Sequence, residues 1–382
     1  MTFTINPRKL TFANLRKIYR TETGVCLHDE AWTKIKSSRS VVDNIIEQGK
    51  TVYGINTGFG LLAQTSIPVD QLALLQTNLV LSHSTGVGKP LPDDVVRLIY
   101  VLKISSLAQG HSGIRPSTIK SFIAFVNAGL IAEIPEKGSV GASGDLAPLA
   151  HMTAALMGEG YVRLGGEKLA AKEALDKVGL SPVELSSKEG LAFLNGTQVS
   201  TALAIKGLFQ AEDIFSAAVV AGSMSIDALM GSVAPFDKRI HIARGQPGQI
   251  AVAPKYLEQL EGSNILTAHE DCDKVQDPYS LRCQPQVMGA CLDIINNAAK
   301  TLLIEANAVT DNPLIFTDNG DVISGGNFHA EPVAFAADQL AMAICEIASI
   351  SERRLSIMVD PKMSDLPAFL VENSGVNSGF MI

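Results

Sequence analysis

The residues best suited to unusual chemistry form a glycine-rich stretch at residues 138–145, which reads GSVGASGD. Its glycines stand at positions i, i+3 and i+6 and permit backbone conformations that are closed to other residues. We expect Asp145 to cap a helix that starts near Leu146. Three interpretations of this pattern stay open: an ordinary turn before a helix, an anion site at the helix N-terminus, or a backbone that reacts with itself.

The third interpretation would make an electrophile from the chain alone. The amide nitrogen of Gly144 would attack the carbonyl carbon of Ala142, and loss of two water molecules would leave a five-membered ring with a methylene group derived from Ser143. A helix N-terminus beside it would stabilise the negative charge that develops when a nucleophile adds. The anion site has less support, because the stretch lacks a Walker lysine and no G-x-G-x-x-G follows a strand. The G-x-S-x-G spacing of a serine nucleophile is missing from it as well.

Residues 141–151 (GASGDLAPLAH) resemble the signature of the aromatic amino acid ammonia-lyase family. Members of that family form a 4-methylidene-imidazol-5-one (MIO) group from their own Ala-Ser-Gly. The resemblance therefore implies an MIO group made from Ala142, Ser143 and Gly144, with no external cofactor. Further segments match the family in the same order along the 382 residues: 53–60 (YGINTGFG), 195–197 (NGT), 276–286 (QDPYSLRCQPQ) and 327–329 (NFH).

The resemblance implies catalytic roles for four residues. Ser143 would carry the methylidene carbon, and Tyr53, in the family's tyrosine loop, is the candidate general base. A free phenol has a pKa near 10, so Tyr53 would need local positive potential to act at neutral pH. Asn195 and Tyr279 would hold and polarise the MIO ring or the substrate amine.

Substrate choice in this family follows a residue pair on the helix after the tyrosine loop, which is Ser82-His83 here. Phenylalanine lyases carry Phe-Leu and tyrosine lyases His-Leu, so the pair resembles that of the histidine-specific members. His83 can exchange a hydrogen bond with an imidazole, whereas a leucine can only pack against an apolar ring. Arg282 would grip the substrate carboxylate with its planar fork. The resemblance further implies that Gln276 and Phe328 line the pocket.

The reaction implied is the removal of ammonia from L-histidine to give trans-urocanate. Whether the MIO group attacks the amine or the imidazole stays open. So do a tyrosine or phenylalanine ammonia-lyase or an aminomutase of the same family, and a non-catalytic fragment. The last residues, 377–382 (NSGFMI), are apolar at their end and predict that the chain lacks its final elements. The resemblance places a glutamate of the histidine site in that missing part and implies a homotetramer whose sites draw on several subunits.

Composition narrows the function classes. Of the 382 residues, 46% are hydrophobic and 18% charged, which is typical of a soluble globular chain, and the net charge of −8 argues against a nucleic-acid surface. Five cysteines without a C-x-x-C pair, and an N-terminus without an apolar signal region, predict a reduced, cytoplasmic protein. Seven histidines without ligand spacing predict no metal site. The most apolar stretch, 214–226, is too short to span a bilayer, so no membrane partner is expected.

Helical patterns dominate, and we predict a mainly α fold: a central bundle of long helices with a smaller, glycine-rich mixed N-terminal part. The predicted domains are residues 1–195, which hold the tyrosine loop and the Ala-Ser-Gly, and residues 196–382. Between Pro332 and Pro361 the chain contains neither proline nor glycine, which predicts a helix roughly 40 Å long. Residues 197–230 are apolar on nearly all sides and predict a helix buried among several subunits.

Shorter elements have their own signals. Pro92 is expected at the first position of a helix with Val95, Leu98, Ile99 and Leu102 on one buried stripe. Ser186 and Glu189 predict a capping box before a short helix that ends near Asn195. Glycine-containing turns at 165–166 and 319–320 predict two hairpins.

Overall fold

A computed structural model describes residues 2–58, 65–269 and 275–382 of the chain. As predicted, the fold is mainly α-helical, with long helices in the second half of the sequence and a smaller mixed part before them. The described residues form two compact units: unit 1 comprises Met1–Lys206 and Thr301–Ala334, and unit 2 comprises Gly207–Lys300 and Phe335–Ile382. The division into domains 1–195 and 196–382 stays a prediction.

Unit 1 contains a set of shorter helices before the long ones, and one of them is largely buried. In chain order they are α1 (Phe12–Arg20), α2 (Asp29–Glu47), α3 (Leu72–His83), α4 (Asp93–Leu107), α5 (Pro116–Asn127), α6 (Leu146–Leu156), α7 (Ala171–Lys177) and α8 (Glu189–Leu194), with a 3₁₀ turn at Val69–Gln71.

Helix α4 is buried on nearly every side from Val95 onward, so its buried surface is wider than the single apolar stripe predicted from the sequence. Pro92 occupies the N-cap, one position before the predicted first helical residue. The ring of Tyr100 packs edge-on against Phe122 and Phe125 at centroid distances of 5.5 and 6.1 Å. Burial of large aromatic rings of this kind contributes about 1.5–3 kcal/mol per side chain, and it fixes α4 as a rigid element of unit 1.

The strands make small sheets beside these helices. They are β1 (Thr2–Ile5), β2 (Gly24–Leu27), β3 (Val87–Pro90), β4 (Ile131–Ala132), β5 (Pro135–Lys137), β6 (Tyr161–Leu164), β7 (Glu167–Ala170), β8 (Leu314–Phe316) and β9 (Asp321–Ile323). Strands β1 and β2 pair in parallel, with Thr2 opposite Gly24. The other pairs, β3–β5, β4–β6–β7 and β8–β9, are antiparallel. Both predicted hairpins, β6–β7 and β8–β9, are thus confirmed.

The remaining helices include three long ones. They are α9 (Gln198–Ala228), α10 (Lys238–Arg244), α11 (Pro247–Leu260), α12 (Asn264–Thr267), α13 (Tyr279–Arg282), α14 (Gln284–Ala306), α15 (Glu331–Val359) and α16 (Pro361–Ser364), with 3₁₀ turns at Ala234–Phe236 and Ala368–Leu370. Helix α15 confirms the helix predicted before Pro361. Helix α9 is buried in its first part, at Leu208 for example, but Ile214 and Met224 are exposed, so its predicted all-round burial does not hold within one chain.

Two of the long helices correct the argument about membranes. By length and composition alone, α14 and α15 are long and apolar enough to cross a bilayer. Both helices lie outside residues 214–226, and their few charged residues are spread along the helix, so neither contains an uninterrupted apolar run of that length. Core helices of water-soluble proteins meet the same criterion, so helix length does not decide the question.

Candidate active site

The glycine-rich stretch forms a tight turn whose tip is exposed and whose stem is buried. The Gly144 N–H donates to the Gly141 carbonyl at 3.1 Å, and these two residues pair across the turn like the ends of antiparallel strands. Ala142 and Ser143 lie at the exposed tip, whereas Gly144 and Asp145 are buried. The turn therefore presents its two central residues outward from a fixed base.

Gly144 occupies a cradle that admits no side chain. A Cβ atom placed there would lie 3.2 Å from both the nitrogen and the carbonyl oxygen of Gly196, and 3.3 Å from the Cβ of Phe328. The φ angle of Gly144, +85°, is also one that L side chains rarely adopt. Such small, closely packed residues allow the approach of nitrogen to carbonyl that ring closure needs, so the residues present fit an MIO group.

Asp145 occupies the N-cap position of α6, which begins at Leu146 as predicted, but its carboxylate does not bond to that helix. Its oxygens instead accept from the hydroxyls of Ser139 and Ser200, each at 2.6 Å, and from the Ser200 N–H at 2.7 Å. Ser200 lies in the first turn of α9, so Asp145 caps α9 rather than its own helix. The expected cap was wrong because a nearby helix N-terminus offers both an amide and a hydroxyl to a carboxylate that is 0% exposed.

The asparagine segment lies against the base of this turn. The Gly196 carbonyl accepts from the Asp145 N–H at 2.8 Å, and Gly196 has a φ of +138°. Thr197 is fixed on both sides: its N–H donates to Thr310 Oγ1 at 3.2 Å and its hydroxyl donates to Glu305 at 2.6 Å. The side-chain oxygen of Asn195 is buried and has no hydrogen-bond partner among the described residues, which leaves an acceptor available at the site.

A buried lysine that the sequence analysis missed supports the same segment. Lys103, on α4, is 1% exposed, and its ammonium donates to the Asn195 carbonyl at 2.7 Å and to Gln198 Oε1 at 3.4 Å. Burial lowers the pKa of Lys103 to about 7, against the opposing effect of Asp311 and with a smaller lowering contribution from Lys188. One signal in the sequence was available: a single lysine interrupts an otherwise apolar and hydroxyl-bearing run, VLKISSLA.

Ion pairs hold the short helix α8, which precedes Asn195. Lys188 and Asp311 pair at 2.8 Å and are both buried, although Lys188 has the left-handed φ of +72°. The Glu189 carboxylate accepts from Arg115 at 2.7 Å and from the Ser186 N–H at 2.8 Å. Of the predicted capping box, only the bond from the Ser186 N–H to the Glu189 carboxylate is present. Helix α8 begins at Glu189 with Lys188 at its N-cap, and the Ser186 side chain does not cap it.

His83 is the last residue of α3 and is half-buried. Its Nδ1 lies 2.9 Å from the Leu79 carbonyl oxygen, and because a carbonyl can only accept, Nδ1 carries the hydrogen. The Nε2 atom of a neutral His83 is then an acceptor. Just beyond it, the Gly86 N–H donates to His151 Nε2 at 3.0 Å, which ties the end of α3 to α6. Burial lowers the pKa of His151, in keeping with a neutral acceptor.

Tyr53 is half-buried in the segment between α2 and α3. The Gly54 N–H in this segment donates to Thr57 Oγ1 at 3.3 Å. The last two residues of the tyrosine motif, Phe59 and Gly60, lie outside the described residues. The structure thus places Tyr53 and His83 in unit 1 with the turn, and of the predicted residues it brings Phe328 and the asparagine segment into contact with Gly144.

The substrate-binding motif lies in unit 2. Arg282 donates from Nε to the Asp277 carbonyl at 3.0 Å, and its guanidinium carbon is 4.5 Å from the centre of the Tyr279 ring. Tyr279 is 72% exposed and Gln276 is exposed as well. The Asp277 carboxylate is buried and accepts from the Ser232 N–H at 2.6 Å. Local contacts therefore preorient the arginine and the tyrosine as a stacked pair.

Comparison with known proteins places these features in a family context. Residues 10–382 match the family described as aromatic amino acid lyase. A histidine ammonia-lyase from Enterobacter sp. (strain 638) is 59% identical over 380 residues, which are 99% of this chain and 75% of that protein. The crystal structure of histidine ammonia-lyase from Trypanosoma cruzi matches with a TM-score of 0.90 at 39% identity, covering 100% of this chain and 72% of that one. Phenylalanine aminomutase from Pantoea agglomerans matches with a TM-score of 0.93 at 34% identity, covering 99% and 77%.

Proposed function

Because the chain belongs to the aromatic amino acid lyase family, we propose that it is an ammonia-lyase that converts L-histidine to trans-urocanate and ammonia. In this reaction the bond between the α-carbon and the amine breaks, a β-proton leaves, and a carbon–carbon double bond forms. The observation that carries the proposal is the 59% identity to a histidine ammonia-lyase over nearly the whole chain. The Ser82-His83 pair, which resembles that of histidine-specific members, supports the same substrate.

We propose that Ala142, Ser143 and Gly144 form the MIO group. The side-chain-free cradle around Gly144 supports this assignment, as does the exposure of Ser143 at the tip of the turn. When formed, the group supplies an electrophile to the substrate. Helix α6 starts directly after the turn, so its N-terminal amides favour negative charge at that place.

The residues assigned to substrate binding carry hydrogen-bonding groups that complement those of histidine. Arg282 is assigned to the carboxylate, because a guanidinium fork meets two oxygens at once. His83 is assigned to the imidazole: its Nε2 accepts from the substrate ring N–H, since its Nδ1–H is already donated to Leu79. Gln276 and Phe328 are assigned to the pocket lining.

Tyr53 is the proposed general base for the β-proton. Asn195 and Tyr279 are assigned to holding the amine or the ring. The unpartnered side-chain oxygen of Asn195 supports a role as an acceptor for an ammonium group.

Assembly and location are further parts of the proposal. The exposed apolar residues of the long helices, Ile214, Val220, Met224, Phe335 and Met342 among them, support burial against other copies of the chain in a homotetramer. Free thiols at the four described cysteines are compatible with a reducing, cytoplasmic location.

A spectrophotometric assay tests the proposed activity. The purified chain is incubated with L-histidine, and urocanate is followed by its ultraviolet absorbance, with parallel incubations in L-tyrosine and L-phenylalanine. We expect an alkene from histidine alone and stoichiometric ammonia. An alkene from tyrosine or phenylalanine in place of urocanate, or a β-amino acid without release of ammonia, would overturn the substrate and reaction assigned here.

A further inference from the structure

We infer that Lys103 is a positioning residue for the dehydration of the Ala142-Ser143-Gly144 turn, acting through the Asn195–Gly196 peptide. The inference rests on the proposed function, because it concerns how the chain makes its own MIO group. Within the described residues, the Lys103 ammonium donates to the Asn195 carbonyl and to Gln198 Oε1 rather than to the turn. Lys103 acts on the turn through one peptide plane: the Asn195 carbonyl of that plane accepts from the lysine, and its Gly196 nitrogen lies beside Gly144.

Lys103 is hydrogen-bonded to the asparagine segment. The ammonium donates to the Asn195 carbonyl at 2.7 Å, and this donor is buried with the acceptor. A short hydrogen bond in a water-excluded place is strong and directional. It therefore fixes the orientation of the peptide plane that joins Asn195 to Gly196.

The same peptide plane lies against the turn at Gly144. The Gly196 nitrogen belongs to the same peptide, and it lies 3.2 Å from the place where a Cβ of Gly144 would stand. The Gly196 carbonyl, which belongs to the next peptide plane, accepts the Asp145 N–H at 2.8 Å. Gly196 thus contacts the turn on both sides of the Gly144 carbonyl, and Lys103 holds the peptide that precedes Gly196.

The neighbouring backbone groups have other partners: the Asn195 N–H donates to the Leu191 carbonyl at 2.9 Å and the Thr197 N–H to Thr310 Oγ1 at 3.2 Å, whereas the Asn195 carbonyl accepts from Lys103. Gly196 has no side chain, and a Cβ there would collide with the amide of Gln198. The Asn195 side-chain oxygen has no partner among the described residues. Gln198, the second acceptor of the lysine, also donates to Thr310 Oγ1 at 2.8 Å. Burying a lysine destabilises the fold unless its ammonium is hydrogen-bonded. The hydrogen bonds of Lys103 go to Asn195 and Gln198, which flank the glycine that contacts the turn.

The experiment compares Lys103→Met with Lys206→Met. The first substitution keeps an unbranched apolar side chain and removes the donor. The second removes a partly buried lysine of α9 that pairs with Asp94 at 3.7 Å and does not contact the asparagine segment. For each soluble protein we would measure the fraction of chains that have lost two waters by intact mass after the same expression time, together with the thermal midpoint and circular dichroism.

We expect folded Lys103→Met to show dehydration slower by about tenfold, the effect of losing one buried hydrogen bond, while Lys206→Met matches the wild type. Wild-type dehydration in folded Lys103→Met would overturn the inference, as would an equal loss in Lys206→Met. If Lys103→Met fails to fold, Lys103→Gln, which removes the charge and places its nitrogen one atom short of the Asn195 carbonyl, is judged by the same two outcomes. A wild-type chain at its full translated mass would instead contradict the proposed function, and this inference with it.

Discussion

The turn at residues 141–145 in unit 1 lies on a buried network of hydrogen bonds, whereas the segment at residues 276–286 in unit 2 exposes Gln276 and Tyr279 and leaves Arg282 partly buried. In the first region Gly144 and Asp145 are buried, and every oxygen of the Asp145 carboxylate accepts a hydrogen bond. In the second, Tyr279 is 72% exposed and Arg282 is held by its immediate sequence neighbours.

This difference separates two physical tasks. Closing a ring between neighbouring residues requires atoms held to within fractions of an ångström, and buried charge-assisted bonds provide that rigidity. Side chains that bind a substrate can adjust their rotamers when it arrives. We therefore expect substitutions near the turn to act on formation of the reagent, and substitutions in the 276–286 segment to act on substrate affinity.

The largest effect is expected from Ser143→Ala. This change removes the hydroxyl that must leave as water, so kcat for histidine should fall by a factor on the order of 10⁴ or more, as for removal of an essential reactive group. Intact mass should show no loss of water, and circular dichroism should be unchanged because Ser143 is exposed. Ser40→Ala, at an exposed hydroxyl of α2, is the control with full activity. Appreciable turnover in Ser143→Ala would rule out the chemistry proposed for the turn.

A large loss of stability is expected from Gly196→Ala. The new Cβ would collide with Gln198, and a φ of +138° disfavours any L side chain, so the free energy of unfolding should fall by about 2–4 kcal/mol. Gly207→Ala is the matched control, because its Cβ would meet no described atom within 4 Å inside a helix. That variant should gain about 0.5–1 kcal/mol. Chemical denaturation measures both values, and equal effects would contradict the tight contact at Gly196.

A smaller effect, confined to binding, is expected from Arg282→Lys in the 276–286 segment. A lysine keeps the charge but loses the planar fork, so KM for histidine should rise by about tenfold to a hundredfold with a smaller change in kcat. Arg239→Lys, at an arginine paired with Asp237 on the surface, serves as the control. The mass deficit should be intact in both variants. A missing deficit in Arg282→Lys would show that the two regions are not separate in their tasks.

The most gradual expected effect is a pH dependence of stability that belongs to Lys103. Burial is the main cause that lowers the pKa of Lys103 from 10.5 to about 7 in the folded chain. Between these values the unfolded chain holds a proton that the folded chain lacks, so stability contributed by this group rises with pH, by up to about 1.4 kcal/mol per pH unit. Below pH 7 both states are protonated and the contribution is constant. Unfolding of the wild type and Lys103→Met across this window measures it, and a difference independent of pH would contradict the burial argument.

Local patterns in the sequence predicted local structure well. The glycine spacing before Leu146 indicated a turn followed by a helix, and the absence of proline and glycine before Pro361 indicated α15. The hairpins followed from their turn residues. In each case the decisive interactions join residues close in sequence, which is why the pattern carries the information.

The sequence pattern failed where a distant partner competes with a local one. Asp145 bonds to Ser200, 55 positions away, instead of capping its own helix. Lys103 reaches Asn195 across 92 positions, and no spacing rule reveals such a contact. Motif resemblance identified the turn and the asparagine segment, but not the lysine that supports them, because its role depends on tertiary packing.

The most direct test of the whole account is the intact mass of the purified wild-type chain. Self-condensation of Ala142, Ser143 and Gly144 predicts a polypeptide lighter than its translated sequence by two water molecules, with the deficit confined to the peptide that contains residues 138–145. A polypeptide at its full translated mass, with that peptide unmodified, would contradict the account.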